Sequence, residues 1–186
     1  MNMFKPIILS ALIALALLIS PGHAHDFGQH ETDAATDGPR TATVVHADDP
    51  RKKIGGGQDQ FDLLVSGAET DGQYFLMEAV ITPGGRAPEH VQTREEEGFY
   101  ILSGTLNFYA DGQQVIARAG TFINIPKGVP HYFENVSGED AKMLILLSPS
   151  GLEHWFEAAG EDPANARALG EAEYGLEFIQ DFPAQD

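Results

Sequence analysis

Residues 84–104 read GGRAPEHVQTREEEGFYILSG, a glycine-bounded segment in which a few chemically active side chains stand among apolar ones. His90 and Gln92 are two apart, so on a strand they point to the same side. Glu97 alternates with Phe99 and Ile101, which places a carboxylate on the apolar, inward face of the next strand. A buried carboxylate is costly unless it is paired or binds a cation, and no Lys or Arg shares that face within the strand. Glu95 and Glu96 read as solvated neighbours of Glu97 in an acidic run. A second segment, residues 120–135, reads GTFINIPKGVPHYFEN. His131 starts a strand there and shares its face with Phe133, while Gly120, Pro126 and Gly128 suit tight turns at a barrel rim.

Outward from these segments the chain is a train of short β stretches. Phe61 to Ser66, Tyr74 to Ile81, Gly98 to Ser103, Thr105 to Ala110, Gln113 to Ala117, Thr121 to Ile125, His131 to Glu134 and Met143 to Leu147 are all rich in β-branched, aromatic or aliphatic residues. Glycine-, proline- and aspartate-bearing turns separate them, and Asp111-Gly112 is the best hairpin cue. Closely spaced strands with no helix between them predict an antiparallel sandwich or barrel. The period changes only after Pro149. Leu152, Trp155, Phe156 and Ala159 then fall on one face of a helix that should pack on the barrel. The sole tryptophan and Phe156 read as core; His154 lies off the apolar stripe and reads as surface.

The ends carry a different signature. Lys5 precedes an almost unbroken apolar run, Ile7 to Ile19, and small residues close the segment at Ala24. Its 13 residues fall short of the roughly 20 that span a bilayer, so residues 1–24 are expected to be a signal peptide cut after Ala24. The expected address is the periplasm or the exterior. Residues 25–53 are polar, with His25, His30 and His46 among acids, and read as a disordered leader. Residues 54–150 form the barrel. Residues 151–186 hold the helix and an acidic tail that can wrap the domain through Tyr174, Leu176, Phe178 and Ile179.

Charge and composition remove several function classes. Eleven Lys and Arg stand against 28 Asp and Glu, a net charge of -17, which repels nucleic acid and anionic membranes. The chain contains no cysteine, which excludes disulfides, thiolate zinc sites and iron–sulfur clusters.

The two quoted segments resemble the paired motifs of the cupin superfamily, G(X)5HXH(X)3–4E(X)6G and G(X)5PXG(X)2H(X)3N. The second is matched at Gly120, Pro126, Gly128, His131 and Asn135. The first is matched at Gly84, His90, Glu97 and Gly104, with Gln92 where the family carries its second histidine. The stretches at 63–85, 93–109 and 147–160, with EYGLEF at 173–178, are further similar to single-domain quercetin-dioxygenase-like cupins. The fold this implies is all-β, a single jelly-roll barrel with a short C-terminal helix packed on it.

The resemblance also implies a site: one divalent transition metal held by His90, Gln92, Glu97 and His131. An amide oxygen in place of an imidazole shifts preference toward Fe or Mn, with Ni, Co, Cu or Zn open. Three roles stand open for Gln92: ligation through its carbonyl oxygen, a hydrogen bond to a bound water or substrate, or an inactivated site. As an enzyme, the chain would be a dioxygenase-like oxidoreductase acting on a small aromatic or hydroxylated molecule. Glu97 would then serve as ligand and general base, and Phe99, Ile101 and Phe133 would form a dry wall. Tyr100 and Phe133 are candidates either to line a pocket for a flat ring or simply to pack, and packing is at least as good a reading for both. The alternative is a non-catalytic periplasmic cupin that binds a small molecule or a metal. The expected partner is a small molecule, with no nucleic acid, no membrane after signal cleavage, and a homodimer as the default assembly.

Overall fold

The computed structural model describes residues 41–55 and 57–179. The expected signal peptide, its cut after Ala24 and most of the polar leader, with His25 and His30, lie outside these residues. Eleven strands are found among the described residues: β1 (Lys52–Ile54), β2 (Gln60–Val65), β3 (Phe75–Ile81), β4 (His90–Gln92), β5 (Glu96–Ser103), β6 (Thr105–Ala110), β7 (Gln113–Arg118), β8 (Phe122–Ile125), β9 (His131–Glu134), β10 (Ala141–Ser148) and β11 (Leu176–Phe178). A short helix α1 (Gly67–Thr70) follows β2. Helices α2 (Leu152–Glu161) and α3 (Ala166–Leu169) follow β10, and a π-helical turn (Gly170–Tyr174) leads into β11.

Alternation builds the core. Along β3, Phe75, Met77, Ala79 and Ile81 are fully buried while the residues between them are only half so. Ala141, Met143, Ile145 and Leu147 do the same on β10, which pairs with β3 on one side and β5 on the other. Side chains two apart share a face, so each strand presents one apolar row inward. The sheets order as β1-β2-β3-β10-β5-β8 and β11-β4-β9-β6-β7, and every pairing is antiparallel. Their inner faces meet across the core: the ring of Phe99 on β5 lies edge-on to Phe108 on β6, with centroids 4.9 Å apart. The protein is an all-β jelly roll with a small helical part, as expected.

Two turns show why the sequence folds this way. Asp111 and Gly112 both adopt positive φ (49° and 70°), the backbone of a type I′ hairpin whose twist matches its strands. Strands β6 and β7 accordingly pair without slippage from Thr105↔Arg118 to Ala110↔Gln113. Gly104, at φ 76°, carries the chain from β5 to β6 against β10. A Cβ there would approach Ala141 Cα to 2.6 Å, so the motif glycine is a packing requirement.

The structure differs from expectation at the ends of the barrel. Strand β1 begins at Lys52, inside the span assigned to the leader, and pairs with β2 from Lys52↔Leu63 to Ile54↔Phe61. Residues 41–51 are without helix or strand, and exposed His46 donates its backbone N–H to Asp49. Helix α2 lies where the apolar spacing placed it, with Leu152 and Trp155 buried. The tail does more than wrap: β11 adds a strand beside β4, burying Leu176 and Phe178. No helix among the described residues is long and apolar enough to cross a membrane.

Candidate metal centre

Three strands bring the four singled-out residues together. On β4, His90 and Gln92 alternate with Val91 and face the same way. His90 pairs in register with His131 on β9, and β5 carries Glu97 inward beside Phe99. One donor atom from each of His90, Glu97 and His131 lies within 4.8 Å of the others. The two imidazole centroids are 4.4 Å apart. Gln92, Glu97 and His131 are 3%, 4% and 1% exposed, so this polar group is enclosed by protein.

Backbone carbonyls orient both histidines. His90 Nδ1 sits 2.8 Å from the Pro88 carbonyl and His131 Nδ1 2.9 Å from that of Val129. A carbonyl only accepts, so each Nδ1 carries a proton and Nε2 is turned to the interior, the usual arrangement behind a metal-ligating histidine. Burial, with His131 adding to it, pushes His90 down to about 4 against the partial pull of Glu97 and Pro88. His90 is therefore neutral at physiological pH and holds a free electron pair. Burial also opposes a charge on His131, but its hydrogen bond to Glu97 and the carboxylate's charge outweigh that and raise its pKa.

Glu97 Oε2 is the hub. It accepts a hydrogen bond from Gln92 Nε2 at 3.0 Å and lies 2.9 Å from His131 Nε2. A carboxylate oxygen and an imidazole Nε2 at that distance repel unless a proton or a cation sits between them. Gln92 Oε1 is buried with no hydrogen-bond partner, which is costly for an amide oxygen. Two imidazole nitrogens, a carboxylate and an orphaned amide oxygen are together a donor set that suits a divalent first-row metal. Direct ligation and a hydrogen bond to a bound water or substrate would each satisfy Oε1 of this cavity-lining residue.

The other motif residues hold the frame. Asn135, 1% exposed, donates Nδ2 to the carbonyls of Ile81 and Glu139, and its N–H to Gly85. Gly84 returns an N–H to the Asn135 carbonyl. These bonds clamp the loop before β4 to the end of β9, which fixes the separation of His90 and His131.

A cavity of about 700 Å³ opens onto the centre, within the range of small-molecule sites. His90, Gln92 and Glu97 form its polar end, and His131 stays behind Glu97, off the cavity surface. Phe99, Phe133, Ile145, Trp155, Phe156 and Phe178 contribute apolar wall, with Asp59 and Arg86 also on its lining. Phe133 lines the cavity as expected and Ile101 does not, being fully buried in the core. Tyr100 is also off the cavity, 44% exposed on the outer face, because its neighbours Phe99 and Ile101 take the inward positions. Trp155 and Phe156, read as core, are core and wall at once.

Glu95 needs correction too. It is 1% exposed rather than solvated, and burial raises its pKa to about 7, while Glu96 is exposed as expected. Glu95 stands just before β5, where the chain leaves the Thr93–Arg94 bend, and it is covered there rather than exposed to solvent. Leu176 and Phe178 went unassigned as site residues. They stand in the sequence with Tyr174 and Ile179 as residues that can wrap the domain, and nothing local distinguishes them as site residues.

Known proteins agree with this architecture. The cupin-domain family model matches residues 77–147. Quercetin 2,3-dioxygenase of Bacillus subtilis is 28% identical over 104 residues, which are 55% of this chain and 31% of that protein. The crystal structure of the polyketide cyclase RemF from Streptomyces resistomycificus superposes with a TM-score of 0.52 at 23% identity. That superposition spans 59% of this chain and 81% of RemF, a likeness of fold. The polyketide synthase CurC of Streptomyces cyaneus is 34% identical over 111 residues, covering 60% of this chain and 70% of CurC. A likeness at that level over more than two thirds of the relative's length is one of whole domains, and this chain belongs to the cupin family.

Proposed function

We propose that the protein is an exported, metal-dependent cupin that acts as a dioxygenase-like oxidoreductase on a small, flat, hydroxylated aromatic molecule. The observation that carries this reading is the meeting of His90, Glu97, His131 and the unpartnered Gln92 Oε1 at the polar end of an aromatic-walled cavity. A divalent metal bound there, with Fe or Mn favoured by the amide oxygen, would supply Lewis acidity and access to O₂. The rest falls to the chain. His90 and His131 would hold the ion through Nε2, and Gln92 would hold it through Oε1. Glu97 also takes the proton of a substrate hydroxyl at its carboxylate. Phe99 and Phe133 keep water from the reacting end, while Trp155 and Phe156 offer faces to a planar ring. The relatives named for quercetin and for polyketides support a ring-bearing substrate by analogy. Export rests on the charged start, apolar run and small residues of 1–24.

One observation favours the alternative, a non-catalytic binding cupin. A single proton on His131 satisfies both His131 and Glu97, and Gln92 Nε2 already donates to the same carboxylate. Gln92 Oε1 is then left as a buried amide oxygen without a partner. Oxygen consumption by the Fe- or Mn-loaded protein, screened over flavonols and catechols, tests the proposal against this rival. Uptake in the wild type that is lost in a folded Glu97→Gln variant is the expected result. Undiminished uptake in the variant removes Glu97 from the chemistry, and no uptake across the panel leaves the binding cupin.

A further inference from the structure

The C-terminal strand is built into the cavity as a wall, and its fixings exceed what covering a sheet edge requires. Strand β11 pairs with the metal-centre strand in the register Leu176↔Gln92 and Phe178↔His90. That register sets the Phe178 ring beside the His90 imidazole, with centroids 6.1 Å apart and planes inclined by 34°. The same ring lies 6.1 Å from the indole of Trp155. Phe178 is 8% exposed and lines the cavity, so it bridges the polar end and the aromatic wall.

Several bonds hold it there. Arg167 Nη2 donates to the Phe178 carbonyl at 2.7 Å, and the guanidinium carbon sits 5.5 Å from the ring centroid. Ile179 N–H donates to the Glu89 carbonyl, one residue before His90. At the other end of the strand, Thr93 bonds the Gly175 carbonyl through both N–H and hydroxyl, and Arg94 bonds the Glu173 carbonyl. Trp155 Nε1 donates to Ala166, the residue before Arg167. Trp155, Arg167 and Phe178 are thus one connected unit whose aromatic faces have little freedom to move, a preformed surface that selects by shape.

We infer that Phe178 is a specificity-determining residue: its ring, fixed by Arg167 and by pairing with the His90 strand, sets how wide a planar ligand can be at the metal centre. This rests on the cavity being the ligand site, as proposed above. A smaller side chain at 178 widens the slot and releases the grip on a narrow ligand. A larger one narrows it and expels a broad ligand first.

The test compares naphthalene-2,3-diol with the wider quercetin, by calorimetric titration of the full chain. Wild type, Phe178→Ala and Phe178→Trp are each titrated, with metal content measured in parallel. The ratio Kd(naphthalenediol)/Kd(quercetin) should rise about tenfold in Phe178→Ala, which loses the wall. It should fall several-fold in Phe178→Trp. A change that merely loosens the fold weakens both ligands together and cannot move the ratio in opposite directions. A ratio within about twofold of wild type in either variant, or moving the same way in both, overturns the inference. Absence of binding of both ligands to the wild type overturns it along with the ligand reading of the cavity. Metal content then shows separately whether the metal centre stands.

Discussion

Two carboxylates two residues apart, Glu97 on β5 and Glu95 just before its start, are both buried and meet different surroundings. Around Glu97 the structure gathers two imidazoles, an amide and a cavity, and Oε2 is engaged by both Gln92 Nε2 and His131 Nε2. Around Glu95 it gathers little: Oε2 is buried without a partner, Arg94 helps its charge, and Glu97 and Glu153 work against it. Glu153, buried nearby at the start of α2, is already satisfied by the N–H groups of Gly67 and Gly151. Burial of an acid is therefore not the mark of a site in this fold. The mark is convergence of groups that can share a cation, together with a route for a ligand to reach them.

Substitutions at the two positions should separate these roles. Glu97→Gln removes the anionic ligand and should weaken Fe or Mn binding by about a thousandfold, roughly 4 kcal/mol. Metal titration of the variant checks this, and its stability in the absence of metal should change far less.

Glu95→Gln should act in the opposite sense, on stability and with a pH dependence. The Glu95 pKa is raised from 4.5 to about 7 in the folded chain, so the folded state binds its proton more tightly than the unfolded state does. Its contribution is fully present below about pH 4.5 and is lost as pH rises through about 7. The glutamine variant should match wild type near pH 4 and exceed it by roughly 3 kcal/mol above pH 7. Denaturant midpoints at both pH values decide, and parallel profiles for the two proteins would refute the account of Glu95.

Gly67→Ala probes the packing behind Glu95. A Cβ there would overlap the Ser150 side chain and come within 2.7 Å of Glu153 Oε1, so a loss of about 2 kcal/mol is expected in thermal or denaturant unfolding. Tyr100→Ser, on the outer face, should change stability by no more than about 0.5 kcal/mol and leave ligand binding alone. A clear loss of binding would return Tyr100 to the site.

What could be read in the sequence follows the same division. Strands with strict alternation, such as Phe75 to Ile81 and Ala141 to Leu147, declare both their period and their inward face. Glu97 stands out because a carboxylate on an apolar face is expensive to keep, and His90 and His131 stand out through their likeness to the cupin motifs. Glu95 escaped because a run of three acids resembles a solvated patch until the strand start is known. Tyr100 was misplaced although the alternation that placed Phe99 and Ile101 also excludes it from the cavity. Strand β11 was too short to carry a period of its own, and its register against His90 is supported by bonds from Thr93 and Arg94, distant along the chain, as well as from Arg167. Cavity walls drawn from α2, β10 and β11 arise only from tertiary packing, which no local pattern encodes.

The central claim is that this centre holds a metal with Gln92 as a ligand. Elemental mass spectrometry of the purified full chain, beside Gln92→His and His131→Ala, tests it most directly. The account predicts about one transition metal per chain in the wild type, a shift toward Ni, Cu or Zn in Gln92→His, and loss of metal in His131→Ala. Metal absent from the folded wild type and present only in Gln92→His would contradict it, and would show that the glutamine has disarmed the site.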